Sequence, residues 1–446
     1  MDGRDVIDPL GAVPVDPHYV QGNRSDEFWA HFRSGAVVHA SRDRTRHYPG
    51  LGGAAPATLG MYLLADDLPI SANHVIDAGC GAGEGLRRLT SSHRRVTGVD
   101  RDPRALAFAR QWAPDARVIQ VDLGQGALRV EPAQLALAID VIGHFEQPER
   151  ALWALSQKLD TARGLLSAEV LAAADQCLTP PARRAFSPRG MHAMLIRSGF
   201  AVEQWLRAPL GFLSCYSVAH RDSAAVALLD AEHHFSRGAL PNAETLVLEA
   251  SKSSIAALRL EALLALARVQ VELNRRDAAT ATLLEARKLD SGDARPLAAL
   301  SRLAHLAGSA SQAVSLARQA VQLDMTEVTA VAALGLAIYD DDPRAALDAW
   351  LVAHALAPDH SGIAAKVCEA AVQLEDYSLA ITVLERLKRY VPLKDAARSS
   401  KVMAWLLAHE GKSLQAELQT RLAETLEPDS ADIRELREFL KGVTAS

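Results

Sequence analysis

The 446-residue chain is expected to fold as an α/β domain on a mostly parallel sheet, followed by an all-α helical-repeat solenoid. Three observations carry this expectation. A strand, a glycine run and a helix succeed one another in VIDAGCGAGEG, Val75 to Gly85, and an acid, Asp100, closes the next apolar strand, VTGVD. Strand and helix patterns then alternate from residue 74 to about 220, the sign of a parallel sheet covered on both faces. Beyond residue 223 strand patterns stop, and alanine- and leucine-rich helices recur at intervals of 34, 33, 34 and 36 residues.

Composition narrows the class. Hydrophobic residues make up 49% and charged residues 23%, as in soluble globular proteins, and the length suits two or three domains. A net charge of −6 does not favour non-specific binding to nucleic acid or to an anionic membrane, so neither partner is expected. The four cysteines, Cys80, Cys177, Cys215 and Cys368, have neither zinc-site spacing nor disulfide density, which predicts no metal and a reducing, cytoplasmic setting. The start MDGRDVIDPLG lacks the basic and apolar regions of an export signal, and no apolar run of about twenty residues occurs, so no membrane span is expected.

Taken in order, residues 1–73 form a lead segment rich in proline, with Pro9, Pro14, Pro17, Pro49 and Pro56 and one helical stretch, DEFWAHF. Such a segment suits a lid, and His39, His47 and Tyr48 are candidates for a substrate rim as well as for plain surface packing. Residues 74–222 hold seven strands: VIDA, RVTGVD, ARVIQVD, QLALAIDV, GLLSAEV, AVEQWL and FLSCYSVAH. Pro103 and Pro148 open helices at a first-turn position, where a missing amide costs nothing. The short link RAPLG joins the last two strands, which predicts an antiparallel hairpin at one edge.

The glycine run reads as a nucleotide-cofactor cradle. Gly79, Gly81 and Gly83 let the backbone turn sharply and bring amides against a ligand, and a side chain would block that approach. Asp100 stands where a carboxylate accepts hydrogen bonds from both hydroxyls of a ribose.

Over roughly residues 45–220 these motifs resemble the class I S-adenosylmethionine-dependent methyltransferases, whose fold is a Rossmann-like α/β sheet. The resemblance implies S-adenosyl-L-methionine as cofactor and assigns contacts with it to Asp77, Gly79, Cys80, Gly81 and Gly83. It places Asp100 at the ribose, Arg101 beside the adenine, and Asp122 with the Leu123 amide at the adenine edge. AIDVIGHFEQPERAL is similar to the segment after strand four that borders the methyl group, with Asp140 and His144 as its polar positions. RAFSPRGMHAMLIRSGF resembles a later helix of small-molecule and glycan methyltransferases. Three positions depart from the family pattern: Gly143 replaces a frequent acid, Arg163 a usual double glycine, and Glu169 a small polar turn. The rival cofactor, a nicotinamide or flavin dinucleotide, is disfavoured because GCGAG lacks the GxGxxG register and because Asp122 and His144 match the methyltransferase pattern.

A sulfonium already makes the methyl electrophilic, so the protein mainly aligns the reactants, an effect worth up to ~7–11 kcal/mol. An acceptor that must lose a proton needs a base. His144 is the candidate, since imidazole with a pKa near ~6.5 accepts protons at neutral pH. The plainer role is packing at the substrate mouth, and for Asp140 simply ending a strand. Three functions follow: methylation of an oxygen or nitrogen of a small molecule or glycan, with the solenoid docking a protein partner; protein methylation with the substrate captured by the repeats; or a catalytically silent cofactor-binding scaffold.

Residues 223–446 resemble tetratricopeptide repeats. Ser291, Met325, Pro358, Pro392 and Pro428 mark the period, and Ala279, Ala313, Ala346, Ala380 and Ala416 open the second helices. Ala286, Ala320, Ala353 and Ala423 follow seven residues on, and all are expected in the core. Ala243 and Ala250 suggest one more unit ahead, giving about six, and DSADIRELREFLKG reads as a cap. The concave face mixes Arg295, Arg302 and His305 with Val328, Val331 and Ile338, without the Lys and Asn set of carboxylate-clamping relatives. A protein partner, self-association or a glycan-bearing carrier stays open.

Overall fold

The computed structural model describes residues 61, 62, 65, 68, 72–90, 94–125, 128–170, 183–206, 212–220, 222–388, 390, 396–427 and 430–445. His39, His47, Tyr48, the DEFWAHF helix, Cys177, the RAPLG link, Pro392 and Pro428 lie outside them. By its internal contacts the chain divides into two compact units, residues 1–172 with 185–290, and residues 173–184 with 291–446.

The first unit opens with β1 (His74–Ala78), α1 (Glu84–Thr90), β2 (Arg95–Asp100), α2 (Pro103–Trp112) and β3 (Arg117–Gln120). It continues through β4 (Ala133–Ile139), α3 (Pro148–Ser156), β5 (Leu159–Val170), α4 (Pro188–Arg197), β6 (Phe200–Leu206) and β7 (Phe212–Ala219). The seven strands expected from the sequence make one sheet in the order β3-β2-β1-β4-β5-β7-β6. β7 alone runs antiparallel, between β5 and β6, which gives the edge hairpin. Both proline-led helices form: Pro103 follows Asp102, whose carboxylate caps the Arg104 amide at 2.9 Å, and Pro148 opens α3.

Apolar residues alternate between the two faces of the sheet. Val75, Leu135, Leu137 and Leu166 pack with Leu86 and Leu89 of α1 and Leu106 and Ala109 of α2. Ile76, Ala136, Ala138 and Leu165 face the other way, onto Leu152 and Leu155 of α3 and Met191 and Leu195 of α4. A central strand buried on both faces reads as a continuous apolar run, which is why LALAI shows no polar alternation.

Helices alone follow β7 among the described residues. α5 (Ser223–Ser236), α6 (Leu240–Ala250), α7 (Ala256–Glu272) and α8 (Arg276–Leu289) belong to the first compact unit. Ala224, Leu228, Val247, Leu258 and Leu266 pack there around Ile196 of α4, with Trp153 of α3 and Ala201 of β6 against them. The second unit carries α9 (Arg295–Leu306), α10 (Ala310–Leu323), α11 (Val328–Ile338), α12 (Pro343–Leu356), α13 (Ser361–Gln373), α14 (Tyr377–Leu387), α15 (Ala396–His409) and α16 (Ser413–Leu426), closed by α17 (Ala431–Ala445). Among the described residues this makes six helix pairs and a terminal helix, as the repeat count predicts.

The repeat alanines occupy the core. Ala243, Ala279, Ala313, Ala346, Ala380 and Ala416 are all fully buried, and so are Ala250, Ala286, Ala320, Ala353 and Ala423. Small side chains at these positions let paired helices approach closely. The turn inside a pair also repeats: Gly238, Asn274, Gly308, Glu375 and Gly411 have left-handed φ angles between 58° and 74°. After each, an amide bonds the carbonyl five residues back, as Ala239 to His234 (2.9 Å), Ser309 to Ala304 (2.9 Å) and Lys412 to Leu407 (2.8 Å), the double-bonded end that a left-handed residue permits. On the expected concave face Val331 is instead core, packed with Ala353 and Ile363, and Arg295 is bonded to Asp293 at 2.6 Å.

Candidate functional site

The site lies at the carboxyl ends of β1, β2 and β4, where ligands bind in open α/β sheets. β1 runs into Gly79, Gly81 and Gly83, with φ angles of 77°, 53° and 89°. All three are left-handed, a region that strains any residue with a Cβ. The turn is latched to β2, because the Gly79 and Cys80 amides both donate to the Val99 carbonyl, at 2.8 and 3.1 Å.

Each glycine answers a different neighbour. A Cβ on Gly79 would stand 2.3 Å from Val141 Cγ2, and one on Gly83 would stand 2.7 Å from Ala109 Cα, so these two permit close packing. A Cβ on Gly81 would meet nothing within 4 Å, so this face of the turn is open. The Gly81 amide donates to Asp100 Oδ2 at 2.9 Å, and the Asp102 amide to Asp100 Oδ1 at 2.9 Å. Each oxygen keeps acceptor capacity for a further donor. The Cys80 side chain is buried in the apolar layer with Leu86, and burial pushes its thiol far above the usual range.

Beneath the turn, Asp77 is fully buried, and the Tyr62 hydroxyl donates to both of its oxygens, at 3.1 and 3.2 Å. Burial raises this carboxyl to about 7, against the Tyr62 bond that lowers it, with the Asp100 charge adding to the rise. Tyr62 fits because Gly85 has no side chain: a Cβ there would lie 2.1 Å from the tyrosine ring.

Beside Asp100 an open cleft of about 760 Å³ runs along Arg101, Asp102, Pro103, Arg104, Gln120, Val121 and Asp122. Arg101 is exposed there, and its carbonyl accepts from Gln120 Nε2 at 3.2 Å. Asp122 Oδ1 accepts from the Gly124 amide at 3.0 Å, which folds the short 3-10 turn Leu123–Gln125, and the Leu123 side chain points into the core.

The loop after β4 holds Asp140 and His144. Asp140 takes φ 51°, unusual for a residue other than glycine, and a 3-10 turn, Ile142–His144, follows it. His144 Nε2 lies 3.9 Å from Asp140 Oδ1, and both side chains are mostly covered, 18% and 9% exposed. The sequence thus assembles Gly79, Cys80, Gly81, Gly83, Asp100, Arg101, Asp122 and Leu123 along one edge, and Asp140 with His144 at the next strand end.

Two residues escaped the sequence reading. Tyr62 falls in the lead segment, apart from any motif. Glu169 appears in the sequence only as a departure, yet its buried carboxylate accepts from the amides of Val141, Ile142 and Gly143 at 2.9, 2.7 and 3.1 Å. An acid inside the apolar run LLSAEV was the available signal, since a buried charge must find donors.

Residues 75–160 match the family model described as Methyltransferase domain. A curated relative, trans-aconitate 2-methyltransferase of Klebsiella pneumoniae (strain 342), is 37% identical over 82 residues, which are 18% of this chain and 30% of that protein. The chain thus spans about a third of the length of the curated relative it matches. Among solved structures, a TehB-like SAM-dependent methyltransferase from Corynebacterium glutamicum is 20% identical and covers 41% of this chain and 97% of its own, with a TM-score of 0.32. YrrB, a TPR protein with an unusual peptide-binding site, is 15% identical and covers 40% of this chain and 91% of its own, with a TM-score of 0.33. The family match thus marks residues 75–160, which carry the glycine turn and the central strands of the sheet, as a methyltransferase domain, and paired alanine-rich helices follow it in the chain.

Proposed function

We propose that the chain transfers the methyl group of S-adenosyl-L-methionine to an oxygen or nitrogen of a small molecule or glycan, with the repeats docking a protein partner. The bond between the Gly81 amide and Asp100 supports this reading above all, because it fixes an open glycine turn beside a carboxylate with lone pairs to spare. Asp100 is proposed to accept from the two ribose hydroxyls, the amides of Gly79 to Gly83 to line the chain carrying the sulfur, and Asp77 to brace that turn from below with Tyr62. Asp122, the Leu123 amide and Arg101 are proposed to hold the adenine in the cleft they border.

The cofactor when bound supplies an electrophilic methyl. The chain's own work is orientation and exclusion of water, with His144 as the proton acceptor for an acceptor group that must lose one. Asp140, 3.9 Å from His144 Nε2, favours the charged imidazolium that results.

The experiment supplies methyl-labelled S-adenosylmethionine and a cell lysate separated into small-molecule and macromolecular fractions. Label in the small-molecule or glycan fraction is the expected result. Label in polypeptide would instead establish a protein methyltransferase, and binding without any transfer a silent scaffold.

A further inference from the structure

Glu169 is a carboxylate sealed inside the sheet, 1% exposed, between Ala168 and Val170 on β5. The parallel register of β4 and β5 pairs Ile139 with Ala168, which sets Glu169 level with Asp140, the residue where β4 gives way to the loop. Its Oε1 accepts from the amides of Val141 and Ile142, and its Oε2 from that of Gly143. These three consecutive amides head a short 3-10 turn, where backbone donors have no partner within the turn itself.

Three features of the candidate site adjoin those bonds. Asp140 enters the loop in a left-handed conformation, a strain that persists only where the surroundings fix it. Val141 sits against the glycine turn so closely that a Cβ on Gly79 would lie 2.3 Å from its Cγ2. His144 closes the same turn, its amide bonded to the Val141 carbonyl at 3.1 Å.

We propose that Glu169 is a positioning residue for methyl transfer: by pinning amides 141–143 it seats Val141 against the cofactor turn and presents Asp140 and His144 at the carboxyl end of β4. The catalytic half of this statement rests on the methyltransferase reading; the pinning does not. A carboxyl group suits the task because its two oxygens offer about four acceptor sites to three donors when ionised, and both oxygens keep acceptor capacity when it is protonated. Burial first, then the nearby Asp140, raise Glu169 against the lowering by the three amide bonds, leaving it at about 8. A glutamine would keep one acceptor oxygen but turn an amino group toward one of the three amides, donor against donor.

The test compares the full chain with Glu169→Gln and Glu169→Ala, using backbone hydrogen exchange over residues 140–145 and calorimetry with S-adenosylhomocysteine as probe. The wild-type amides 141–143 should exchange slowly. In Glu169→Gln that segment should exchange at least about 10-fold faster, with exchange in β1 and β2 unchanged and the probe bound about 3- to 30-fold more weakly; Glu169→Ala should exceed both effects. If Glu169→Ala fails to fold, the near-isosteric glutamine variant decides. Fast exchange of 141–143 in the wild type would overturn the pinning. So would a glutamine variant that melts lower yet keeps wild-type exchange and wild-type probe affinity, the mark of a purely structural role. A wild-type chain that does not bind the probe would overturn the methyltransferase reading and the catalytic half of the proposal, while the exchange data still decide the pinning.

Discussion

Arg197 of α4 reaches Glu261 of α7 at 2.5 Å and Glu149 of α3 at 2.8 Å, and Glu261 is only 4% exposed. A helix of the repeat series therefore supplies the buried partner of an arginine in the α/β domain, next to the apolar cluster around Ile196. Nearby, Arg189 bonds Asp290 at 2.5 Å.

The change from strands to helices at residue 223 is consequently a poor place to cut. We predict that a chain ending at residue 290 unfolds cooperatively, whereas one ending at residue 222 loses at least about 3 kcal/mol, since it strips Glu261 from Arg197 and cover from Ile196. Thermal unfolding of the two fragments checks this. Equal midpoints would show that α5–α8 contribute nothing to the sheet domain.

Asp77 gives a signed pH prediction. An unfolded carboxyl titrates near ~3.9, while burial raises Asp77 to about 7 in the fold. Between those values the native state holds more protons, so this group's contribution is full below about pH 4 and is lost as pH rises through about 7. Asp77→Asn removes the titration. Its melting temperature should fall less than the wild type's between pH 5 and 8, by several degrees, and Glu169, raised in the same sense, accounts for the slope that persists. Parallel curves for the two proteins would contradict the assignment.

His144 should matter to turnover and little to cofactor binding. With the true acceptor, His144→Ala is expected to lower the rate by about 10²–10⁴-fold, with cofactor affinity nearly unchanged and the limb of the pH profile near neutrality gone. Near-native rates in both His144→Ala and His144→Asn would remove the base role.

Local pattern made most of the architecture legible. All seven strands were visible as short strand-forming runs, β1 and β4 most plainly because strands buried on both faces leave little room for polar residues, and the alanines repeated because helix pairs need small contacts. The glycine turn and Asp100 were legible for a related reason: their conformations and spacing are set within one β-α-β unit. Tyr62 and Glu169 were not, because their partners lie 15 and between 26 and 28 residues away and depend on strand register. None of the left-handed turns inside the helix pairs was read from the sequence, and Asn274 and Glu375 carry no glycine to mark them. Packing of α5–α8 against α3 and α4 depends on Ile196, Trp153 and Glu261, which in the sequence look like ordinary helix residues.

The central claim is that Asp100 and the glycine turn hold S-adenosylmethionine, and calorimetry of the full chain with Asp100→Ala tests it most directly. The substitution removes the acceptor of the Gly81 amide and, with it, the acceptor proposed for two ribose hydroxyls. The wild type should bind the cofactor in the micromolar range, and the variant about 2–4 kcal/mol more weakly. Equal affinity in the two proteins would contradict the account.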